Sequence, residues 1–439
     1  MERYSEYKDS GVKWLGEIPS HWEVKRLGKI CSFSKGLQFT KADLVEDGVP
    51  VVSYGQVHAK YNSRTHLSND LIRYVPGDIA YGNENSKVGI GDFIVADTSE
   101  DVDGCGNMAF NDCRTDLYGG YHTILIKNLQ IQNQKFLAYL FNSHTWRAQV
   151  RNLVNGVKVY TINRDILKSS YVIIPPNKEQ NVIVDYLDSA VSVIDNAIAQ
   201  QQKMIDLLNE RKQIIINDAV TKGLDPKAKM KDSGIDWIGQ IPEHWETIQL
   251  KKYAKIILGK MLSNLQNNET EYICAKDVHY GNIDISDLKK MNFSKSEKEM
   301  YEVKKGDLLI VEGGAGAGGC AIYNYEKTGI CIQNSIMIVR CNEKIINEYV
   351  CFFLQSINEK GYVEYVCNKA TIPHFTKEKV GSVTIPVPSR TEQLEIVKYV
   401  KNNISPINLA IESANKQIAL LQERKQIIIN DVVTGKVKV

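Results

Sequence analysis

The sequence predicts two similar α+β domains separated by two long antiparallel coiled-coil helices, in a circular, pseudo-twofold repeat. Its 439 residues are too many for one ordinary core. Two sequence blocks occur twice in the same order, and a long apolar seam with helical spacing ends each copy. The predicted order is a short segment, a variable domain and a long helix, and then the same three parts again.

Composition excludes several classes of protein. Hydrophobic residues make up 43% and charged residues 24%, which is average for soluble globular chains and disfavours disordered, collagen-like and membrane proteins. No apolar run approaches the roughly 20 residues of a membrane span, and the first residues do not resemble a signal peptide, so we expect a cytoplasmic protein. The net charge of +2 excludes a nucleic-acid binder held by bulk positive charge.

The first repeated block contains two tryptophans, two glycines, a proline and a histidine in fixed register. Residues 8–23 (KDSGVKWLGEIPSHWE) return as residues 231–246 (KDSGIDWIGQIPEHWE). His21 and His244 precede a tryptophan in each copy, and we interpret them as packing residues of a structural clasp rather than as acid or base groups. The nine cysteines form no Cys-x-x-Cys pair and are expected to be reduced and mostly buried.

The second repeated block is the nonapeptide ERKQIIIND, at residues 210–218 and 423–431. Ahead of each copy, a proline-rich turn leads into Glu-Gln at the start of a helix, at residues 174–180 and 385–393. Between the shared blocks the halves resemble each other only faintly. Residues 56–58 echo residues 277–279, and residues 77–79 echo residues 306–308. One fold with two different working surfaces is therefore expected.

The long helices follow from apolar residues at alternating steps of three and four, which is the spacing of a coiled-coil seam. The first helix should run from about Lys178 to Val220 and the second should pair with it. Pro406 falls inside the second seam, where a helix interior loses a hydrogen bond, so we expect a kink there or a fresh start capped by Ser405. The seam positions are Leu187, Val191, Ile194, Ile198, Gln201, Ile205, Leu208, Lys212 and Ile215, then Val400, Ile404, Ile407, Ile411, Ala414, Ile418, Leu421, Lys425 and Ile428.

The variable domains show mixed strand and helix patterns. Predicted strands are residues 51–53, 78–81, 121–126, 171–174, 271–275, 307–311, 332–339 and 382–387, with helices near 134–153 and at 348–359. The expected boundaries are a repeated segment at 1–23, a first variable domain at 24–177, a first spacer helix at 178–222, a linker with the second segment at 223–246, a second variable domain at 247–388 and a second spacer helix at 389–439.

A search for catalytic motifs favours a binding protein over an enzyme. No phosphate-binding Gly-x-x-x-x-Gly-Lys-Ser/Thr motif, metal-ligand spacing, methyltransferase motif or nuclease motif occurs. The glycine-rich run at residues 313–319 is interpreted as a tight loop between strands rather than as a phosphate site. We therefore expect no cofactor, no metal site and no catalytic residue.

The two repeated segments, the Glu-Gln helix starts and the Glu-Arg-Lys-Gln helix ends strongly resemble the specificity subunits of type I restriction-modification systems, over essentially the whole chain. The resemblance implies two target recognition domains that each bind one half of a split, asymmetric site in double-stranded DNA. It also implies that the helices set the spacer and dock two methylase (modification) subunits. Those subunits would bring S-adenosylmethionine, and restriction subunits would bring ATP hydrolysis and cleavage.

Candidate DNA contacts were chosen by side-chain chemistry, since Arg, Lys, Asn and Gln match base edges and Lys, Arg, Ser and Tyr often bind phosphate. For each of them a solvated loop position is an equal alternative. The candidates in the first domain are Tyr54, Gln56, His58, Lys60, Asn62, Arg64, Tyr81, Asn83, Asn85, Ser86, Lys87, Lys158 and Tyr160. Those in the second domain are Lys276, Asp277, His279, Tyr280, Asn282, Asn368, Lys369, Thr371 and His374.

Candidate contacts with the partner subunits come from the duplicated helix starts and ends, because identical surfaces suit two copies of one partner. The alternative is that these blocks are shared only to pair the helices. The candidates are Glu179, Gln180, Glu210, Arg211, Gln213, Glu392, Gln393, Glu423, Arg424 and Gln426. A two-headed protein scaffold is the main rival to the DNA function, and an enzyme of unrecognised type is the third hypothesis.

Overall fold

Two long helices, Asn177–Lys222 and Arg390–Val433, run through the computed structural model. The structure describes residues 2–129, 131, 133–154, 159–262, 269–367 and 373–439. The chain divides into a first unit, Met1–Gln201 with Lys416–Val439, and a second unit, Gln202–Asn415. Each unit therefore contains one end of each long helix together with one variable region.

The helix ends pack in antiparallel fashion within each unit. In the first unit, Leu187 near the start of one helix shares a core with Ile429 near the end of the other. In the second unit, Val220 near the end of the first helix shares a core with Val400 near the start of the second. Every predicted seam position is buried or half-buried, which confirms the seam.

Of the two alternatives predicted at Pro406, the fresh helix start is wrong and the kink stays a prediction. The second long helix continues from Arg390 to Val433, and Ser405 is a helical residue rather than an N-cap. Proline removes the N–H that would bond the carbonyl of Asn402. Pro406 and Asn402 both lie on the exposed side of the helix, where water can satisfy that carbonyl.

The first unit carries two four-stranded sheets. The first has the order Met108–Phe110, Phe93–Ala96, Thr123–Asn128 and Cys31–Lys35, and the second has the order Arg73–Val75, Val49–Val52, Leu117–Gly119 and Lys87–Val88. Smaller pairs are Tyr7–Asp9 with Glu17–Pro19, Glu23–Arg26 with Tyr171–Ile174, and Thr98–Ser99 with Tyr160–Thr161.

The second unit repeats this plan, which confirms the predicted α+β class and the repeat. Its four-stranded sheet has the order Cys320–Ile322, Leu308–Val311, Ile336–Cys341 and Ala254–Leu258, and its three-stranded sheet has the order Lys289–Met291, Thr270–Ile273 and Cys331–Ile332. Smaller pairs are Met230–Asp232 with Gln240–Pro242, Glu246–Gln249 with Thr384–Val387, and Val278–His279 with Asn282–Ile283.

Short helices connect the strands and cover the cores. The α-helices are Tyr54–Val57, Gly77–Ala80, Gln134–Asn142, His144–Arg151, Arg164–Ser169, Lys295–Tyr301, Asn347–Glu359, Tyr362–Val366 and Lys377–Ser382. The 3-10 helices are Leu27–Lys29, Lys41–Asp43, Asn69–Leu71, Glu84–Ser86, Leu250–Lys252 and Ala275–Asp277. In the described part of the chain, no helix combines the length and the apolar character that crossing a membrane requires.

The predicted strand at residues 78–81 is wrong. Gly77–Ala80 is one helical turn, closed by the bond from the Tyr81 N–H to the Gly77 carbonyl at 2.8 Å. The true counterpart of Gly306-Asp307 is Gly91-Asp92, because both glycines have positive φ and both aspartates precede a central strand. Each aspartate also accepts a hydrogen bond from the N–H three residues before it, at 2.8 Å for Asp92 and 2.7 Å for Asp307.

Two further predictions need division. The helical stretch at residues 134–153 is two helices, because Ser143 is extended and its hydroxyl caps the second helix by accepting from the Trp146 N–H at 3.2 Å. The stretch at 332–339 is two strands separated by a turn. Seven other predicted elements are confirmed within about two residues. They are the strands at 51–53, 121–126, 171–174, 271–275, 307–311 and 382–387 and the helix at 348–359.

The glycine-rich run joins two paired strands, as predicted. Most cysteines are buried, and all nine are free.

Candidate functional site

The histidine and tryptophan of each repeated segment hold the glutamate at the start of a long helix. In the first unit, Glu179 accepts from the Trp22 indole N–H at 2.9 Å and the Tyr4 hydroxyl at 3.2 Å, and His21 Nε2 lies 2.6 Å from its carboxylate. In the second unit, Trp245 donates to Glu392 at 3.0 Å and His244 Nε2 lies 3.1 Å away. The clasp exists as predicted, but His21 and His244 are exposed and take part in it through a polar contact with the glutamate rather than through packing.

The neighbouring glutamines are interior residues, which corrects their assignment as partner contacts. Gln180 and Gln393 are fully buried. The Gln180 amide donates to the Pro175 carbonyl at 2.9 Å, and the Gln393 amide donates to the Pro388 carbonyl at 3.1 Å. These bonds join the proline turn to the helix, so neither side chain can reach a partner. Glu179 and Glu392 are likewise occupied by the clasp.

The duplicated helix ends present one exposed face in each unit, here named the helix-end face. It consists of Leu207, Glu210, Arg211 and Ile214 in the second unit and of Leu420, Glu423, Arg424 and Ile427 in the first. Positions i, i+3, i+4 and i+7 lie on the same side of a helix. The apolar members are more than half exposed. Within the described ranges, the four charged members form no ion pair or hydrogen bond, while Gln213 and Gln426 are half-buried.

A cleft of about 750 Å³ opens in the first unit, here named the first-unit cleft. Among the described residues it brings together three predicted DNA contacts, Tyr54, His58 and Arg64. His122 and Asn107, which were not predicted, complete the cleft beside an acidic loop at residues 100–103. Tyr54 packs edge-on against His122, with ring centroids 5.5 Å apart.

Two further arginines, Arg147 and Arg151, support the cleft from one short helix. Arg147 donates to Asn107 Oδ1 at 2.5 Å and to the carbonyl of Asp103, and Arg151 donates to that carbonyl at 2.6 Å. Burial, with the nearby cations Arg64 and Arg151, lowers the pKa of Arg147 to about 9. Arginines four residues apart on a helix share a face. That spacing was the signal in the sequence that could have located them.

His58 is fixed by two bonds and has no free ring nitrogen. Its Nε2 lies 2.8 Å from the Thr98 carbonyl, so this nitrogen carries the proton and donates. Its Nδ1 accepts from the Asn107 amide at 3.1 Å. Since Asn107 is bonded in turn to Arg147, the chain Arg147, Asn107 and His58 holds the cleft wall rigid. His58 is therefore a positioning residue, and its ring face alone is open to a ligand.

Three predicted DNA contacts are buried, and their assignment is corrected. The Asn62 amide donates to the Val57 and Met108 carbonyls at 2.9 and 3.0 Å, and Ser86 donates to the Lys35 carbonyl at 2.9 Å. Asp277 is 3% exposed and accepts from the Cys274 N–H at 2.9 Å. The polar groups of each side chain are already hydrogen-bonded to the backbone of a loop, so they are not available to bond a DNA base.

The other predicted contacts lie at or near the surface and stay predictions. Tyr81 is 67% and Tyr280 47% exposed. The remaining exposed candidates are Lys60, Asn83, Asn85, Lys87, Lys276, His279, Asn282 and His374, and Gln56 and Tyr160 are half-buried. Lys276 is already paired with Asp277 at 2.9 Å. Lys158, Asn368, Lys369 and Thr371 lie outside the described residues.

Comparison with known proteins places these features in one family. The family model described as "Type I restriction modification DNA specificity domain" matches residues 19–205 and 242–421. A relative in Methanocaldococcus jannaschii with the provisional name type I restriction enzyme MjaX specificity subunit is 28% identical over 99% of this chain and 98% of its own length. The type I restriction enzyme EcoKI specificity subunit of Escherichia coli K12 is 19% identical over 96% of this chain and 90% of its own.

A solved structure shows the same fold. It comes from work on the assembly and conformational transition of the type I R-M system, and it superimposes with a TM-score of 0.68. It covers 96% of this chain and 99% of its own, at 16% sequence identity. At that identity the likeness concerns the fold alone.

Proposed function

This chain belongs to the family of the type I restriction modification DNA specificity domain, and we propose that it is the non-catalytic subunit that reads a split, asymmetric DNA site for a type I complex. Each unit reads one half-site, and the paired helices fix the spacer between the two half-sites. The methylase and restriction subunits supply the chemistry, so S-adenosylmethionine and ATP bind to them rather than to this chain.

The observation that carries the proposal is that the two units share an equivalent backbone turn but present different side chains on it. In both units a central strand leads to a capped turn, at Ser53 to Gln56 and at Cys274 to Asp277. In the first unit the residues that follow line the cleft. In the second unit they form a two-stranded hairpin with His279 and Asn282 exposed. One scaffold that presents different donors and acceptors in its two copies suits two unlike half-sites.

The helix-end face is an argument that two identical partner subunits bind this chain. Between Asn181 and Asp206, most exposed positions of the first long helix differ from their equivalents 213 residues later. The helix-end face is identical in the two copies although it is exposed. Packing inside the chain does not require identity at exposed positions, whereas a shared partner does. We infer that one methylase subunit docks on each copy, with its apolar centre on the Leu and Ile side chains.

The charged residues of the helix-end face indicate which charged groups the partner's surface needs. Within the described ranges, the side chains of Glu210, Arg211, Glu423 and Arg424 form no ion pair. Each can therefore pair with a residue of a partner subunit. The matching surface needs a basic group beside an acidic group around an apolar patch. Phosphate contacts from these partners would add to the weak field of a chain with a net charge of +2.

Methylome sequencing of a host carrying this gene with its neighbouring methylase gene tests the proposal. We expect methylated adenines in one motif with two unlike halves and a fixed gap. Active methylase without any split motif would contradict the proposed function. The rival, a protein scaffold without DNA recognition, predicts that deletion of this gene leaves the methylation pattern unchanged.

A further inference from the structure

The first-unit cleft has the wrong shape for reading bases inside a duplex. Side chains that read base edges there must project into a groove. The cleft is instead concave, and its volume of about 750 Å³ falls in the range of small-molecule sites. A group that enters it must first leave the stack of base pairs.

The chemistry of the cleft fits a nucleobase better than a phosphate. Arg64 lines the cleft with Glu100, Asp101 and Asp103, and Arg147 and Arg151 are bonded to Asp103 behind the wall, so the formal charges of these six residues cancel. Asp103 also pairs with Arg151 at 3.2 Å. An anion therefore gains little from this site. A nucleobase is a nearly neutral ring with donors and acceptors on its edge. Its edge can bond to the charged rim while its face contacts the aromatic side chains of Tyr54 and His122.

The backbone supports a binding role for the same cleft. Among the described residues, two that are not glycine have positive φ: Arg64 at 67° and His122 at 55°. Both line the first-unit cleft. Such conformations are costly for residues with a side chain and cluster at binding sites, where the surrounding structure holds them.

A glycine leaves the space for the guest. Gly55 lines the cleft, and a Cβ added there would meet no heavy atom within 4 Å. The equivalent position in the second unit is Lys276, whose ammonium is bonded to Asp277. At this position the described structure has open space in the first unit and a lysine side chain in the second, so it is one place where the two surfaces differ.

We propose that the first-unit cleft receives one nucleobase that leaves the duplex when the complex binds its DNA site. The base lies against the aromatic wall that Tyr54 and His122 form together, and its edge meets the polar rim. This inference rests on the proposed function. It assigns a base-binding site to the first unit alone, with Arg147 and Asn107 as positioning residues behind it.

The test uses the complete complex of this chain with its partner subunits and duplexes that contain the recognised site. At each position in turn, the nucleotide on the opposite strand is made abasic, so the base keeps its identity but loses its pairing partner. Unpairing is then no longer needed, so affinity should rise about threefold to tenfold at one position of the half-site read by the first unit. At the other positions it should stay level or fall.

Two variants link that gain to the cleft. Gly55→Trp fills the space and should abolish the gain and weaken binding of the intact site about tenfold or more. Val193→Trp introduces the same side chain at a position that is 67% exposed and outside the cleft, so it should keep both. Circular dichroism melting verifies that both variants fold.

A wild-type scan without any gain overturns the inference whatever the variants do. A gain that survives Gly55→Trp in a folded complex also overturns it, because the base would then lie elsewhere. Both results leave the proposed function standing. If the wild-type complex binds no split site at all, the proposed function fails and the inference falls with it.

Discussion

Lys425 Nζ lies 2.7 and 2.8 Å from the two carboxylate oxygens of Asp195, whereas the equivalent lysine of the second unit, Lys212, meets the neutral Asn408 at 3.0 Å. Both pairs occupy corresponding positions of the helix seam. Polar residues in a seam fix the register of the helices at a cost in stability. The two units therefore carry the same registration device with different electrostatics.

That difference predicts opposite effects of one substitution. Lys425→Met should lower the free energy of unfolding by about 1–2 kcal/mol, because it removes a charge-assisted bond from a carboxylate that is partly exposed. Lys212→Met should be neutral or stabilising by up to about 1 kcal/mol, because burial already disfavours the ammonium there. Urea denaturation of the two variants measures both effects, and equal losses would contradict the assignment.

The same argument gives a dependence on pH for Lys212. Burial lowers the pKa of this lysine in the folded chain. Below the lowered pKa the wild type carries the full penalty of a buried charge, and above the unfolded value of about 10.4 neither state is charged. Any advantage of Lys212→Met should therefore shrink as the pH rises toward that value. Thermal denaturation at a series of pH values should show it, and an advantage that grows with pH would be inconsistent with a buried ammonium.

The clasp predicts unequal losses from equivalent glutamates. Glu179→Ala leaves the buried Trp22 indole and the half-buried Tyr4 hydroxyl without their acceptor, and it should cost about 2–3 kcal/mol, since an unmet buried donor is expensive. Glu392→Ala leaves one such donor, the Trp245 indole, and it should cost about 1–2 kcal/mol. Glu210→Ala, on the same helix as Glu179 but without a bonded partner, serves as the control and should change the unfolding free energy by less than about 0.5 kcal/mol. Losses that are the same for all three would remove the clasp from the account.

The helix-end face predicts stepwise loss of the methylase subunits. Ile214→Asp places a charge at the centre of one docking surface, so native mass spectrometry should show one methylase per chain instead of two. Ile427→Asp should do the same, and the double variant should bind none. Val193→Asp makes a matched change at a position that is 67% exposed and outside the face, and it should retain two. Unchanged stoichiometry in the double variant would place the docking surface elsewhere.

The contact between Glu2 and Lys438 predicts that the chain tolerates circular permutation. Glu2 and Lys438 lie side by side in the first unit, where the Lys438 N–H donates to the Glu2 carbonyl at 2.8 Å. The second unit has a continuous linker at this point, and its residues 224–227 are exposed. A chain joined from Val439 to Met1 by a short glycine linker and opened at residues 225–226 should fold and direct the same methylation motif. A permuted chain that folds but directs another motif would contradict the repeat.

The repeat and the helix seam could be predicted from the sequence because both depend on spacing alone. The seam continues past Pro406. The predicted new helix start is absent there because water can satisfy the carbonyl that loses its backbone hydrogen bond. The tripeptide match at Gly77 misled because it ignored turn geometry, which is shared instead by Gly91 and Gly306. Side-chain type could not separate the exposed Lys60 from the buried Asn62, since both lie in one polar loop.

The first-unit cleft was only partly predictable for a different reason. Side-chain chemistry predicts Tyr54, His58 and Arg64 as contacts, and these three residues also lie close together in the sequence. Asn107 and Arg147 come from other elements and reach the cleft through the fold. The hydrogen bonds between them show that His58 positions the wall, which its residue type alone could not reveal.

The central claim is that each unit reads its own half of the DNA site. The most direct measurement replaces residues 24–171 with the corresponding segment of another member of the family and sequences the methylome of the resulting host. The account predicts that one half of the motif changes while the other half and the gap stay the same. A change in both halves, or in neither half with active methylase, would contradict it.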